Sequence, residues 1–161
     1  MTSTRTAKVT LPADDQILIE REFDAPKELV WKAFTTPELV RRWWHARRGE
    51  MTVVEIDLRV GGRWRYAMIT TEGGFEVAFH GEYREIVPHE RIVSTEAYEG
   101  APGAGPAVNT ATLQERDGRT TLTILVQHAN KADRDAHVES GMEDGLQDAL
   151  DLLEQIAAGL R

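Results

Sequence analysis

The run Phe23-Asp24-Ala25-Pro26-Lys27-Glu28-Leu29-Val30-Trp31-Lys32-Ala33-Phe34-Thr35-Thr36-Pro37-Glu38, continuing to Trp43-Trp44, holds two helix starts in quick succession. Asp24 is a capping residue type, and Pro26 suits a first helical turn, where no amide donor is needed. Thr36-Pro37 repeats the signal. A residue before proline is pushed out of helical backbone, so the first helix must end by about Phe34. Val30, Trp31 and Phe34 fall at helical spacing and give that helix an apolar face. The alternating segment from Gln16 to Phe23 reads as a strand feeding into it. A strand followed at once by two short helices leaves a small domain few arrangements.

The rest of the chain is mostly strand signal. The spacing predicts strands over about 51–60, 63–70, 75–86, 91–99, 108–116 and 119–128, separated by Gly61-Gly62, Glu72-Gly73-Gly74, the segment 100–106 and Asp117-Gly118. Gly100 to Pro106 is glycine- and proline-rich and reads as a mobile loop. From about Lys131 to Ala158 the pattern is one long amphipathic helix, with Val138, Met142, Leu146, Ala149, Leu153, Ile156 and Leu160 on its apolar stripe. Gly141 and Gly145 lie at the edge of that stripe, each costing about 1 kcal/mol against alanine. Close packing on the sheet and room for a ligand are two compensations. The expected order is β-α-α-β6-α, an α+β chain with a flexible arm over residues 1–15 and a single domain over 16–161.

The motif F-D-A-P-x-E-x-V-W-x-A-F-T-x-P-E-x-x-x-x-W-W resembles the opening of homologues of the heat-shock-protein-90 ATPase activator, a family within the START-related (SRPBCC) superfamily of ligand-binding proteins. Asp57-Leu58-Arg59-Val60-Gly61-Gly62-Arg63-Trp64 and Gly81-Glu82-Tyr83-Arg84-Glu85-Ile86-Val87-Pro88, followed by Arg91-Ile92, are further similar blocks. The resemblance runs from about Ile17 to Leu153. It implies a helix-grip fold, a curled antiparallel sheet wrapped around a long C-terminal helix. That fold hosts many activities, so it does not assign one. The family usually carries Gly-Trp where this chain has Gly145-Leu146, which widens or reshapes the space under the helix.

Composition removes several classes of function. A chain of 161 residues is sized for one domain with a substantial core. It has no cysteine, hence no disulfide, thiol nucleophile or thiolate metal site. The first residues are polar and do not read as a secretory signal, and no apolar run reaches membrane-spanning length; a cytoplasmic protein is the expectation. A net charge of −8 argues against nucleic acid as partner. Much of that acidity lies in the last helix, as on a solvated face.

Hairpin geometry then predicts an interior. With Gly61-Gly62 as a two-residue loop, Arg59 pairs with Trp64 and Asp57 with Tyr66. With Gly73-Gly74 as the next, Trp64 pairs with Tyr83, Tyr66 with Gly81, and Met68 with Phe79. Cross-strand partners share a face. That face collects Trp64, Tyr66, Met68, Phe75, Val77, Phe79 and Tyr83, with Asp57 and Arg59 as its polar end. Arg63, Arg65, His80, Glu82 and Arg84 point to solvent. Met142 and Leu146 are expected across the cavity, and Trp43, Trp44 and the 100–106 loop near its mouth. This register strands Val54, Ile56, Leu58 and Val60 outside, so either a bulge flips part of the strand or a homodimer covers the strip.

Chemistry is sparse. His45, His80, His89, His128 and His137 show no metal-ligand spacing, and neither a nucleophile elbow nor a phosphate loop is present. Arg41, Arg42, Arg47 and Arg48 read as a solvated cluster or as an anion-attracting gate. No catalytic residue, metal ligand or cofactor is assigned. The expected function is binding of a small apolar or amphipathic molecule in an internal cavity. The alternatives are an enzyme of the polyketide cyclase kind, using Asp57, Arg59, Tyr66, Tyr83 or His45, and a co-chaperone-like interaction, both implied by the resemblance.

Overall fold

Glycine, proline and aspartate turns cut the chain into short alternating segments, and these pair as strands. The computed structural model describes residues 6–161. Strand β1 (Lys8–Thr10) precedes β2 (Gln16–Phe23), helices α1 (Lys27–Thr35) and α2 (Pro37–Val40), and strands β3 (Gly49–Ile56), β4 (Arg63–Thr70), β5 (Glu76–Val87), β6 (Arg91–Tyr98), β7 (Ala107–Arg116) and β8 (Arg119–Gln127). Helices α3 (Lys131–Glu139) and α4 (Met142–Gly159) close the chain. The strands form one antiparallel, curled and unclosed sheet in the order β1-β2-β8-β7-β6-β5-β4-β3. This is the helix-grip arrangement: Ala149, Leu150, Leu153 and Ile156 of α4 share one buried cluster with Ile17, Ile19, Phe23, Leu113, Leu122 and Val126 of the sheet.

At the N-terminus the domain begins before Gln16. Lys8–Thr10 pairs with Leu18 to Glu20, and the Gln147 side chain bonds both the amide and the carbonyl of Ala7. Part of the segment expected as an arm is therefore an edge strand; residues 1–5 of that arm lie outside the described residues.

The capping expected of Asp24 is supplied differently. The Glu115 carboxylate, from β7, accepts from the Lys27 amide at 2.8 Å and serves the start of α1. The Asp24 amide instead donates to Glu154 of α4 at 3.0 Å. Glu154 and Asp151 also hold Arg21, whose side chain is fully buried, at 3.2 and 2.9 Å. This buried pair ties α4 to β2. Removing one partner from such a pair typically costs about 3–5 kcal/mol, because the other charge is left buried.

Two sequence expectations about register are corrected. The link between β3 and β4 is the loop 57–62, longer than a two-residue turn, and Trp64 pairs with Ile56 rather than Arg59. A bulge between Met51 and Val53 adds a residue, so Met51 and Val54 both face inward, opposite Met68 and Tyr66. Val54 and Ile56 therefore pack on the core, whereas Leu58 and Val60 lie exposed in the β3–β4 loop. Between β4 and β5 the shift is even: Trp64 meets Gly81, Tyr66 meets Phe79 and Met68 meets Val77, so the facing is preserved. Phe75 falls in the loop and is exposed.

The single C-terminal helix is also corrected to two. Gly141 adopts φ +81°, a left-handed backbone that ends the helical run and begins α4. Asn130 opens α3, its Oδ1 accepting from the Asp133 amide at 2.8 Å.

Candidate functional site

The concave face carries a continuous line of rings. Trp64 tilts against Tyr66 at 4.9 Å between centroids, Trp44 meets Tyr66 and Phe79 edge-on at 5.6 Å each, and Phe79 tilts against Tyr98 at 4.9 Å. These geometries are the offset and edge contacts that aromatic quadrupoles favour. Trp44 comes from the segment after α2, so the doubled tryptophan closes one end of the sheet. Gly81 keeps the line intact. The indole Nε1 of Trp64 donates to the Thr95 carbonyl at 3.1 Å, and any side chain at Gly81 would collide with that carbonyl and the indole.

Polar groups sit among the rings. Tyr66 and Tyr83 lie close enough to influence each other, and burial chiefly raises both phenols, Tyr66 well above its ordinary value. On β6 the alternation from Ile92 carries Glu96 to the same face, and on β7 it carries Asn109. Asn109 Nδ2 donates to Glu96 Oε2 at 3.2 Å. Burial pushes the Glu96 carboxyl up, with the Asn109 bond opposing weakly. Asn109 Oδ1 is buried and accepts no hydrogen bond. Neither Glu96 nor Asn109 was expected from the sequence. Asn109 is the polar member of an apolar alternation, Ala107-Asn109-Ala111-Leu113, and that interruption is the signal that marks it, whereas Glu96 follows Ile92 and Ser94 and carries no such signal.

Of the residues expected at the site, Trp44, Trp64, Tyr66, Met68, Phe79 and Tyr83 share the concave face, with Met142 and Leu146 of α4 packed against the same core. Three do not join them. Trp43 is buried in the shell, its indole donating to the Ala33 carbonyl at 2.9 Å and its ring stacked on Phe34. Asp57 and Arg59 lie in the β3–β4 loop, exposed and paired with each other at 2.9 Å. The loop stays close to the site, since its Gly61 amide and Gly62 carbonyl bond the Tyr83 backbone and Asp57 adds to the upward shift of the Tyr83 phenol.

The acid–base set raised by the resemblance is thereby dispersed. His45 is committed locally, its Nδ1 accepting from the Arg47 amide at 2.9 Å. Within the basic cluster, Arg48 pairs with Asp148 of α4 at 2.9 Å and Arg47 approaches it at 3.9 Å. Two further clusters lie off the concave face. Glu99 binds Arg65 through both carboxylate oxygens at 2.9 Å and His80 at 3.0 Å, and the Arg65 bond chiefly holds its carboxyl down to about 2. These groups and Pro102 and Pro106 border an outer cleft of about 920 Å³. His128 and His137 face each other at 2.9 Å between ring nitrogens, where burial lowers both and takes His137 down to about 4. Among the described residues, no group of three or more metal-ligating side chains converges, and no helix is long and apolar enough to cross a membrane.

The model of the family described as activator of Hsp90 ATPase homolog 1-like protein matches residues 24–158. The chain belongs to that family. Solved structures similar to this family member include a protein from Rhodobacter sphaeroides, 26% identical with a TM-score of 0.88, covering 96% of this chain and 99% of that one. Protein Ms6760 from Mycobacterium smegmatis is 25% identical with a TM-score of 0.83, covering 97% of each chain. CalU16 from Micromonospora echinospora is 25% identical with a TM-score of 0.65, covering 99% of this chain and 78% of its own. No curated protein matches. The likeness extends over essentially the whole described fold. The activator-homologue and SRPBCC-like fold often serves to bind hydrophobic ligands.

Proposed function

We propose that this protein binds a small, largely apolar molecule with a polar end between the concave sheet face and α4. The observation that carries the reading is a mismatch in how Tyr66 and Glu96 meet solvent. Burial is the main cause of the shift at both groups, so protein surrounds them. Both nevertheless retain accessible surface, as do Phe79, Asn109, Ala111 and Ile124 beside them on the same face. Side chains that are enclosed and still accessible border unfilled space, whereas native cores close-pack and leave few such openings. Rings and aliphatic groups with a few convergent polar atoms match the usual anatomy of a ligand pocket.

Titration with N-phenyl-1-naphthylamine, a neutral fluorescent probe, tests this reading. Saturable enhancement at one probe per chain is expected, with quenching of tryptophan emission because Trp44 and Trp64 border the space. Native mass spectrometry of the purified protein should show release of a bound small molecule or exchange for the probe. Absence of saturable binding would overturn the reading.

A further inference from the structure

The interior polar cluster has an unusual balance of donors and acceptors. Asn109 offers a carbonyl oxygen that is buried and accepts nothing, while its amide nitrogen is occupied by Glu96. A buried acceptor without a donor costs about 1–3 kcal/mol, so a group that supplies an N–H or O–H there is favoured over one that cannot. Positive charge is missing from the same place. None of the ion pairs among the described residues involves Glu96. Arg21, the arginine buried against α4 from β2, is paired through Nη2 with Asp151 and Glu154, and although its Nε and Nη1 have no partner, none of its bonds reaches Glu96 or Asn109. Glu96 itself is held toward its neutral form by burial. A carboxylate or phosphate brought here would meet the unpartnered amide oxygen of Asn109 and no cation to offset its desolvation, a cost that hydrogen bonds from a neutral carboxyl and phenols do not replace.

We propose that Asn109 and Glu96 form the polar anchor of the interior site and that it selects a neutral ligand presenting an N–H or O–H donor from an apolar aromatic body, and rejects anions. This rests on the proposed binding function and specifies its ligand class. Phenols and aromatic primary amides are the simplest molecules that meet the description. Tyr66 and Trp64, two residues apart on β4, supply ring faces on the same concave face.

A matched series on one ring system separates the anchor from general apolar binding. Four probes, 2-naphthol, 2-naphthamide, 2-methoxynaphthalene and 2-naphthoate, are titrated calorimetrically into the intact protein. The naphthol and the amide should bind about tenfold more tightly than the methoxy compound, which has the same apolar body and no donor. The naphthoate should bind more weakly than the methoxy compound. In Asn109→Leu the advantage of the naphthol should disappear while binding of the methoxy compound persists. The wild-type comparison stands without the variant should Asn109→Leu fail to fold. Equal affinity of the naphthol and methoxy probes for the wild type would overturn the anchor and leave apolar binding intact. A preference for the naphthoate would overturn it as well. If none of the four binds, the anchor and the binding function fall together.

Discussion

Two imidazoles facing each other at 2.9 Å accommodate one shared proton and resist a second charge. His128 and His137 join the end of β8 to α3, so protonation there acts on the seam that leads into α4. Burial lowers the affinity of His137 for a proton, as does His128; Asp133 and Arg134 of α3 act on His128 in opposite senses. The folded-state value of His137 is about 4, against about 6.5 for an unperturbed histidine. The unfolded chain therefore binds the proton first as pH falls. Stability from this group is fully present above about pH 6.5 and is lost as the pH drops toward about 4. Urea midpoints measured across that range should fall for the wild type and fall less for His137→Gln. Parallel curves for the two proteins would show that the pair does not control acid stability.

At the scale of elements, two glycines four positions apart do different work. Gly141 holds φ +81°, which an L side chain rarely adopts, so it divides α3 from α4. Gly145 lies within α4, and a Cβ there would meet the Arg48 guanidinium at 4.0 Å, an ordinary contact. Gly141→Ala should cost about 1 kcal/mol, whereas Gly145→Ala should add up to about 1 kcal/mol through helix propensity. Denaturant unfolding of the two variants checks the opposite signs. The helix break was not legible in the sequence because the apolar stripe runs on in period through Gly141, and periodicity does not report a backbone angle. Register behaved similarly. The turn glycines placed both hairpins but not their loop lengths. The resulting even shift between β4 and β5 kept the facing of Val77, Phe79 and Tyr83, while the odd shift at β3 turned Asp57 and Arg59 out of the interior and Val54 and Ile56 into it.

Over the whole molecule, the fold was legible because its signals are redundant. The double helix start, the glycine-marked hairpins and the terminal amphipathic segment each point to a sheet gripping a helix, and the family match agrees. The aromatic half of the site followed from alternation in β4 and β5. Its polar half did not, since Glu96 and Asn109 become neighbours only through the β6–β7 pairing across a low-complexity loop. What separates a binding interior from a filled core is volume, and Leu146 is placed to test it. It packs from α4 toward the core, where a tryptophan would present a larger ring. Inserting that ring into a filled core should cost about 1–3 kcal/mol by overpacking. On the proposed function we expect instead that Leu146→Trp keeps its stability within about 1 kcal/mol of wild type, because the ring then enters unfilled space between α4 and the concave face. The same variant should lose N-phenyl-1-naphthylamine binding by about tenfold or more, since ring and probe compete for one volume. A destabilised Leu146→Trp with unchanged probe affinity would place the probe elsewhere and leave the concave face as ordinary core.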